Sequence, residues 1–266
     1  MIKIKRLNFR YDLASNFHCS VTNHRFSLKC LPQNTARQKI EDIKLFINGV
    51  EYRQNATDSF GNSVVYGCIS EPHDKFMVSM TGTAFTGLDI FEEFQPDETK
   101  SVIFKYPTPL TTPGNGIENY FKSLELEKFP REYEKVLHIM RELHKDFAYK
   151  KGETTVSTTA EEAFNKGCGV CQDYAQIMTA LCRMAKIPVR YVTGAIIGEG
   201  YSHAWVEALC NGFWYGFDPT NDLLVNNQYI KISHGRDYSD CVINKGIFNG
   251  YNRQELDVNV SINDEQ

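Results

Sequence analysis

The sequence predicts an α+β protein whose amino-terminal part is rich in β-strands and whose second part places helices first and an antiparallel sheet afterwards. Two observations support this. Residues 1–110 carry short alternating apolar runs between turn-rich pieces, and a helical period of apolar side chains begins only beyond residue 110. We therefore expect two domains, 1–110 and 111–266, the first an antiparallel, sandwich-like β domain.

The composition fits a folded chain that works on peptides, proteins or small molecules. Its 266 residues are 42% hydrophobic, which is enough for a sizeable core. A net charge of -4 gives no basic surface for nucleic acid or an anionic membrane. A membrane span needs about 18 consecutive apolar residues, and the sequence has no such run.

The amino terminus and the cysteines predict a cytoplasmic protein. The first residues, MIKIKRLNFRYDL, lack the continuous apolar stretch of a secretory signal. Eight cysteines in a chain of this length are too sparse for a disulfide scaffold, so we expect reduced thiols. The sequence carries no acidic loop of the EF-hand kind, and we expect neither calcium nor any other cofactor.

The strands of the first part are predicted from runs such as FSLKCL, IKLFING, SVVYGCI, FMVSMTG and SVIFKY. Turn-rich pieces such as NATDSFGN and SEPHD separate them. The piece PTPLTTPGNGIEN then interrupts the chain with three prolines and two glycines, as a linker does. This piece sets the predicted boundary near residue 110.

The second part opens with helices. One apolar face is formed by Tyr133, Val136, Leu137, Met140, Leu143 and Phe147. Thr159 and Glu162 have the spacing of a capping box, and Gly167 ends that short helix. The next helix begins just after, with Cys171 at its amino terminus, and Pro188 enforces extended structure. Strand-like runs follow: VRYVTGAII, SHAWVEALC, FWYGFD and GIFNGYNRQELDVNVSI.

The two cysteines of GCGVCQDYAQ, Cys168 and Cys171, allow three interpretations. A structural zinc site needs four ligands, and no second cysteine pair stands at a matching spacing. A thioredoxin-like redox couple needs a strand directly before it, where this sequence places a capped helix and Gly167. A catalytic thiolate is favoured by the free N–H groups and positive dipole end of a helix start.

A hairpin predicts the partners that a thiolate needs. Asn211-Gly212 is the sequence of a type I′ turn between two strand-like runs. The turn pairs Cys210 with Phe213, so counting outward along the two strands puts His203 and Asp218 on one face as diagonal neighbours. Their backbones are then roughly 5 to 8 Å apart. A carboxylate on one imidazole nitrogen leaves the other to face a thiol. The opposite face, from Ala204 to Phe217, is apolar and belongs on a core.

These motifs together resemble the transglutaminase-like superfamily of papain-like thiol enzymes. The matching stretches are GCGVCQDYAQIMTALCRMAKIPVRYVTG, SHAWVEA and GFWYGFDPTND. By this resemblance Cys171 is the nucleophile, His203 the base and Asp218 the acid of a catalytic triad, whereas Cys168 matches no catalytic position. FRYD, NTARQ, DSFGNSVV, SEPHDKFMV and the tail HGRDYSDCVINKGIFNG are similar to the bacterial branch, with its β-rich amino-terminal domain.

The resemblance implies a papain/transglutaminase-like catalytic domain that acts on peptide or carboxamide bonds of a peptide or protein through a thioester. Water would then make the enzyme a cysteine protease or amidase, and an amine would make it a transamidase. The backbone N–H of Cys171 would bind the oxyanion. Trp205 and Trp214, on the face of His203, are candidate walls of a substrate groove, although packing under a loop is as common for such residues.

Two other functions stay open at this point. A binding or scaffold protein can keep the fold with an idle triad, since a fold does not determine a function. A thiol–disulfide protein would depend on both Cys168 and Cys171, and a disulfide between them could also silence a thiol enzyme.

Overall fold

The computed structural model describes residues 3–93, 99–250 and 253–265. Its amino-terminal part is a run of strands, as predicted. They are β1 (Lys5–Leu28), β2 (Gln38–Ile47), β3 (Val50–Glu51), β4 (Ala56–Thr57), β5 (Ser63–Ile69), β6 (His73–Thr86) and β7 (Phe91–Glu93).

The second part places its α-helices first and most of its strands afterwards, which confirms the α+β class. The elements are α1 (Asn115–Ser123), α2 (Glu132–Asp146), β8 (Ala148–Tyr149), α3 (Ala160–Lys166), β9 (Cys168–Gly169), α4 (Cys171–Met184), β10 (Val189–Ile196), β11 (Gly198–Gly200), β12 (His203–Cys210), β13 (Phe213–Asp218), β14 (Leu223–Leu224), β15 (Tyr229–Gly235), β16 (Asn244–Asn249) and β17 (Gln254–Asp264). Short 3-10 helices lie at Thr99–Lys105, Leu126–Lys128 and Tyr238–Asp240. Among the described residues no helix has the length and apolar character needed to cross a membrane.

The long strand β1 organises the first sheet. Its inward side chains alternate with outward polar ones from Leu7 to Phe17, as expected of a strand with one buried face. This stretch pairs with β17 on one side and β6 on the other. After an irregularity between Asn16 and Val21, the end of β1 pairs instead with β5 and β16. The predicted sandwich is not confirmed. The sheets are half-barrels, and β1 pairs first with β17 and β6 and then with β5 and β16.

Strands from beyond residue 110 complete this first sheet. β17 pairs with β1 along eleven residue pairs, from Leu7–Asp264 to Phe17–Gln254. β11 adds to the free edge of β17, and β16 pairs with the end of β1. Conversely, β7 joins the second sheet beside β13. The boundary at residue 110 stays a prediction, and each sheet draws strands from both sides of it. Residues 251 and 252 of the predicted last run lie outside the described residues.

The strand predicted for the run SVIFKY is wrong, because the structure has a 3-10 helix at Thr99–Lys105. Phe104 is buried in edge-to-face contact with Trp214, while Val102 and Ile103 stay exposed. A single anchoring ring, followed closely by Pro107, favours a short helical turn over a strand with one continuous buried face.

The second sheet holds the hairpin, and its register is the predicted one. The strand order is β14-β13-β12-β10-β15, with β7 beside β13. Val206 pairs with Phe217 and Cys210 with Phe213. Asn211 and Gly212 both have positive φ, 52° and 84°, as a type I′ turn requires. The apolar face of β12 packs on α4 in the main helical core.

The predicted helix signals also hold. α2 spans the expected apolar face, and α3 begins with a complete capping box between Thr159 and Glu162. Gly167 ends α3 in the left-handed conformation, with φ 68°. The core helix α4 is buried from Asp173 to Arg183, and α1, α2 and α3 pack around it.

A buried ion cluster joins the two halves behind the second sheet. The carboxylate of Glu207 on β12 lies 2.6 Å from Arg190 and 2.7 Å from Lys231. Arg37 of the amino-terminal half approaches Glu207 to 3.6 Å, and Glu92 of β7 accepts from Arg190 at 2.5 Å. Burial opposes ionisation of Glu207, but the three cations hold the pKa of its carboxyl well below the usual range.

We expect Glu207→Gln to lower the unfolding midpoint in urea, because it leaves the buried cations of this cluster undercompensated. Breaking a buried pair from one side costs about 3–5 kcal/mol. Glu51→Gln is the control, since it removes an exposed carboxylate that pairs with Arg53 at the surface. Equal midpoints for Glu207→Gln and wild type would mean that the cluster does not stabilise the fold.

Candidate functional site

Cys171 is the first residue of α4, at the mouth of a cleft between the two halves. Val170 precedes it as an extended N-cap, with φ -114° and ψ -178°. The Cys171 thiol is free and partly buried. The backbone N–H groups of a first helical turn have no partner within the helix, and they favour a negative charge on the sulfur.

Asp173 fixes the segment that leads into Cys171. Its buried carboxylate accepts hydrogen bonds from the Val170 backbone N–H and the Thr154 hydroxyl, each at 2.7 Å. Burial raises the pKa of this carboxyl, and these hydrogen bonds act against that rise. Gly169 packs so closely that a Cβ there would lie 2.4 Å from the Asp173 carboxylate. The first-turn acid therefore positions the backbone before the cysteine.

His203 lies between the thiol and a carboxylate. Its Nε2 donates to Asp218 Oδ2 at 2.7 Å, and the imidazole also makes a hydrogen bond with the Cys171 thiol. Asp218 accepts only, so Nε2 carries a proton and Nδ1 is left for the sulfur. Burial lowers the pKa of His203, but the hydrogen bonds with Asp218 and Cys171 outweigh it and raise that pKa to about 10.

Asp218 is fully buried and held as a carboxylate by five hydrogen bonds. Besides His203, its Oδ2 accepts from the Tyr229 hydroxyl and the Asn221 side chain, both at 2.8 Å. Its Oδ1 accepts from the backbone N–H groups of Thr220 and Asn221, at 3.0 and 3.3 Å. Burial alone raises the pKa of Asp218, but His203 and these donors hold it below the usual range.

The cleft over Cys171 has a volume of about 390 Å³ and walls from both halves of the chain. Tyr11 and Leu13 of β1 and Val258 of β17 form one wall. Tyr149 and Tyr191 lie on the other side with the cysteine. The amino-terminal sheet is thus part of the site.

The two regions of the chain match two family models. Residues 7–84 match the bacterial transglutaminase-like N-terminal region, and residues 124–219 match the transglutaminase-like superfamily core. This chain belongs to the transglutaminase-like superfamily. The core match contains Cys171, His203 and Asp218.

Relatives and one solved structure resemble this transglutaminase-like chain. An uncharacterized protein of Mycobacterium leprae is 41% identical over 43% of this chain and 44% of its own length. An uncharacterized protein of Mycobacterium tuberculosis is 27% identical over 87% of this chain and 84% of its own. A crystal structure titled "Putative Cysteine Protease from Cytophaga hutchinsonii" superposes with a TM-score of 0.79 at 23% identity, over 99% of this chain and 92% of that one. The last likeness shows a shared fold.

The tryptophans differ from the prediction. Trp205 and Trp214 were candidate groove walls, but their side chains are 1% and 2% exposed and neither lines the cleft. Trp205 packs edge-to-face on Tyr229. Trp214 packs against Phe104 and under the Arg190 guanidinium, 4.5 Å from its ring centre. The face that His203 shares with them is covered by the other half of the chain, which the local sequence does not reveal.

The backbone holds Cys168 away from Cys171. Cys168 and Gly169 form β9, which pairs with β8, and Val170 is extended as well. Three extended steps of about 3.3 Å place the two Cα atoms about 10 Å apart. A disulfide needs Cα atoms less than about 7 Å apart, so it cannot form without unfolding this segment. This geometry disfavours a redox couple.

The sequence analysis did not predict the supporting roles of three residues. Asn221 and Tyr229 hold Asp218, and Asp173 holds the segment before the cysteine. Asn221 follows Asp218 closely enough to suggest an Asx-type turn, which was the available signal. Tyr229 lies on a separate strand, β15, and no local pattern connects it to Asp218.

We expect Asp218→Asn to lower the reactivity of Cys171 at neutral pH. In wild type the hydrogen bonds with Asp218 and Cys171 raise the pKa of His203 to about 10, so a protonated imidazole stays beside the sulfur at neutral pH and iodoacetamide alkylates Cys171 rapidly. Without the carboxylate, the pKa of His203 falls because the imidazolium loses that partner, and the alkylation rate, measured from pH 6 to pH 9, should drop about tenfold at neutral pH.

Tyr229→Phe is the matched variant for this experiment. It removes a hydrogen bond to Asp218 but keeps the buried charge, so its pH profile should stay close to wild type. An unchanged profile in Asp218→Asn would contradict the role assigned to the carboxylate.

We expect Asp173→Ala to slow alkylation of Cys171, whereas Asp173→Asn should not. Asn at position 173 keeps a side-chain oxygen that accepts the hydrogen bond from the Val170 N–H, whereas Ala leaves that N–H without its partner. Gly169→Ala should act like Asp173→Ala, since its Cβ displaces the carboxylate. Alkylation rates followed by mass spectrometry test this, and equal rates in all four proteins would show that the segment needs no such support.

Proposed function

We propose that this chain is a cysteine-dependent acyl-transfer enzyme that hydrolyses peptide or carboxamide bonds through a thioester. The observation that carries the proposal is the position of His203, hydrogen-bonded to the buried Asp218 carboxylate and to the Cys171 thiol at a helix start. This arrangement supplies a nucleophile, a proton carrier and an orienting carboxylate.

In the acylation step, the Cys171 sulfur attacks the carbonyl carbon while Nδ1 of His203 holds the thiol proton. The Cys171 backbone N–H, which has no partner within the helix, donates to the oxyanion. His203 then gives its proton to the departing amine or ammonia, and a thioester remains. Asp218 keeps the imidazole in the required orientation throughout, because its oxygens are fixed by neighbouring donors.

Water is the proposed acyl acceptor. No Asp or Glu is present among the described side chains that line the cleft, and Asp218 lies buried beneath it. Tyr149 and Tyr191 have phenol pKa values raised by burial and by the nearby Cys171 charge, so they stay neutral donors. An amine acceptor arrives as a cation at neutral pH, and no carboxylate in this lining attracts it. In the deacylation step, His203 takes a proton from water as the water oxygen attacks the thioester carbonyl carbon. The C–S bond then breaks, the carboxylic acid leaves and His203 returns the proton to the Cys171 sulfur.

The first test is brief alkylation with low-dose iodoacetamide near pH 6, with His203→Ala beside wild type. We expect selective labelling of Cys171 that the substitution removes. Peptide carboxamides are then incubated with and without a primary amine and analysed by mass spectrometry, with Cys171→Ala as the inactive control. Hydrolysed product in both mixtures supports the proposal.

The other outcomes point elsewhere. A dominant amine adduct would make the chain a transamidase. Slow, uniform labelling without turnover would favour a binding or scaffold protein on the same fold.

A further inference from the structure

A lysine, Lys151, lies at the mouth of the Cys171 cleft. Lys151 follows β8 and precedes Gly152, whose φ of 83° marks a tight turn. Its side chain is exposed and lines the cleft on the side of Tyr149. Apart from the tyrosines and the Cys171 and His203 of the proposed triad, Lys151 is the titratable side chain in the described lining.

Tyr201 holds this ammonium over the opening. The Lys151 Nζ lies 5.1 Å from the centre of the Tyr201 ring. Tyr201 lies between β11 and β12, lines the same cleft and is 68% exposed. A cation over an aromatic face gains about 0.5–1 kcal/mol at an exposed site, which is enough to bias its position. This contact brings two distant segments of the chain together at the cleft, and Tyr201 lies two residues before His203 in the sequence.

The positive charge of Lys151 has no carboxylate partner among the described ion pairs. Its neighbour Lys150 does, since Lys150 Nζ lies 2.5 Å from Glu153. His203 pairs with Asp218 beneath the cleft rather than with a charge at its mouth. A cation between apolar walls attracts anions more strongly than one in open solvent.

We propose that Lys151 is a specificity-determining residue that binds a carboxylate of the peptide substrate beside the bond to be cleaved. The inference rests on the proposed function, since it assumes that the substrate lies in this cleft. The carboxylate belongs either to an acidic side chain or to the carboxyl terminus of a short peptide. Tyr201 holds the ammonium over the cleft until the substrate arrives.

The first experiment compares an anionic and a neutral probe on the same sulfur. The alkylation rates of Cys171 by iodoacetate and by iodoacetamide are measured at low ionic strength. The quantity compared is the iodoacetate rate divided by the iodoacetamide rate. An effect of Lys151 on ionisation of Cys171 changes both rates alike and cancels. We expect Lys151→Met to lower the ratio about threefold, an effect of the size of one screened charge pair that should fade in high salt.

Two variants control this result. Lys150→Met removes an adjacent lysine that is paired with Glu153 outside the cleft, and it should leave the ratio unchanged. Lys151→Arg keeps the charge and should keep the ratio. The proposal is overturned if Lys151→Met leaves the ratio unchanged, or if Lys150→Met lowers it equally.

The second experiment identifies the source of the carboxylate. Peptides with one central Gln are tested as protectants of Cys171 against iodoacetamide, with Glu or its neutral isostere Gln placed in turn at each other position. Each is made with an amidated and with a free carboxyl terminus. We expect one Glu position, or the free terminus, to protect several-fold better in wild type and not in Lys151→Met.

Protection requires no turnover, so this result separates the two proposals. An acidic preference without hydrolysis supports the role of Lys151 and contradicts the enzyme. Hydrolysis without any acidic preference supports the enzyme and overturns the role of Lys151. Absence of protection by every peptide also overturns it.

Discussion

The antiparallel pairing of β12 with β13 is the constraint on which the site depends. It sets which side chains of β12 face α4 and which face the buried ion cluster. His203 begins the first strand and Asp218 ends the second, so the register alone brings imidazole and carboxylate to 2.7 Å. A slip of one residue would turn His203 to the other face and separate the pair.

β12 contributes both to the candidate site and to the stability of the fold. Val206 and Ala208 pack into the helical core that carries Cys171. Glu207, between them, anchors the cations of the opposite face. Because neighbouring residues on a strand point to opposite faces, β12 is held on both sides, which fixes the backbone position of His203.

Sequence patterns predicted the local parts of this site. Asn211-Gly212 fixed the hairpin, and Thr159 with Gly167 bounded the helix before Cys171. Contacts between distant segments had no local signal. Tyr229 reaches Asp218 from a separate strand, and Trp205 was placed on the correct strand face but not under the covering half of the chain. Alternation shows which side chains share a face, but not what covers that face.

The pairing of β1 with β17 sets the stage of folding at which the cleft over Cys171 forms. β1 is the first of the described strands in sequence order, and β17 is the last. Cys171, His203 and Asp218 all precede Val258 of β17, which lines the cleft. Joining strands so far apart in sequence carries a large loop-closure entropy, so it follows the local helices and the hairpin. The cleft over Cys171 is therefore completed only after the helices and the hairpin that position Cys171, His203 and Asp218 have formed.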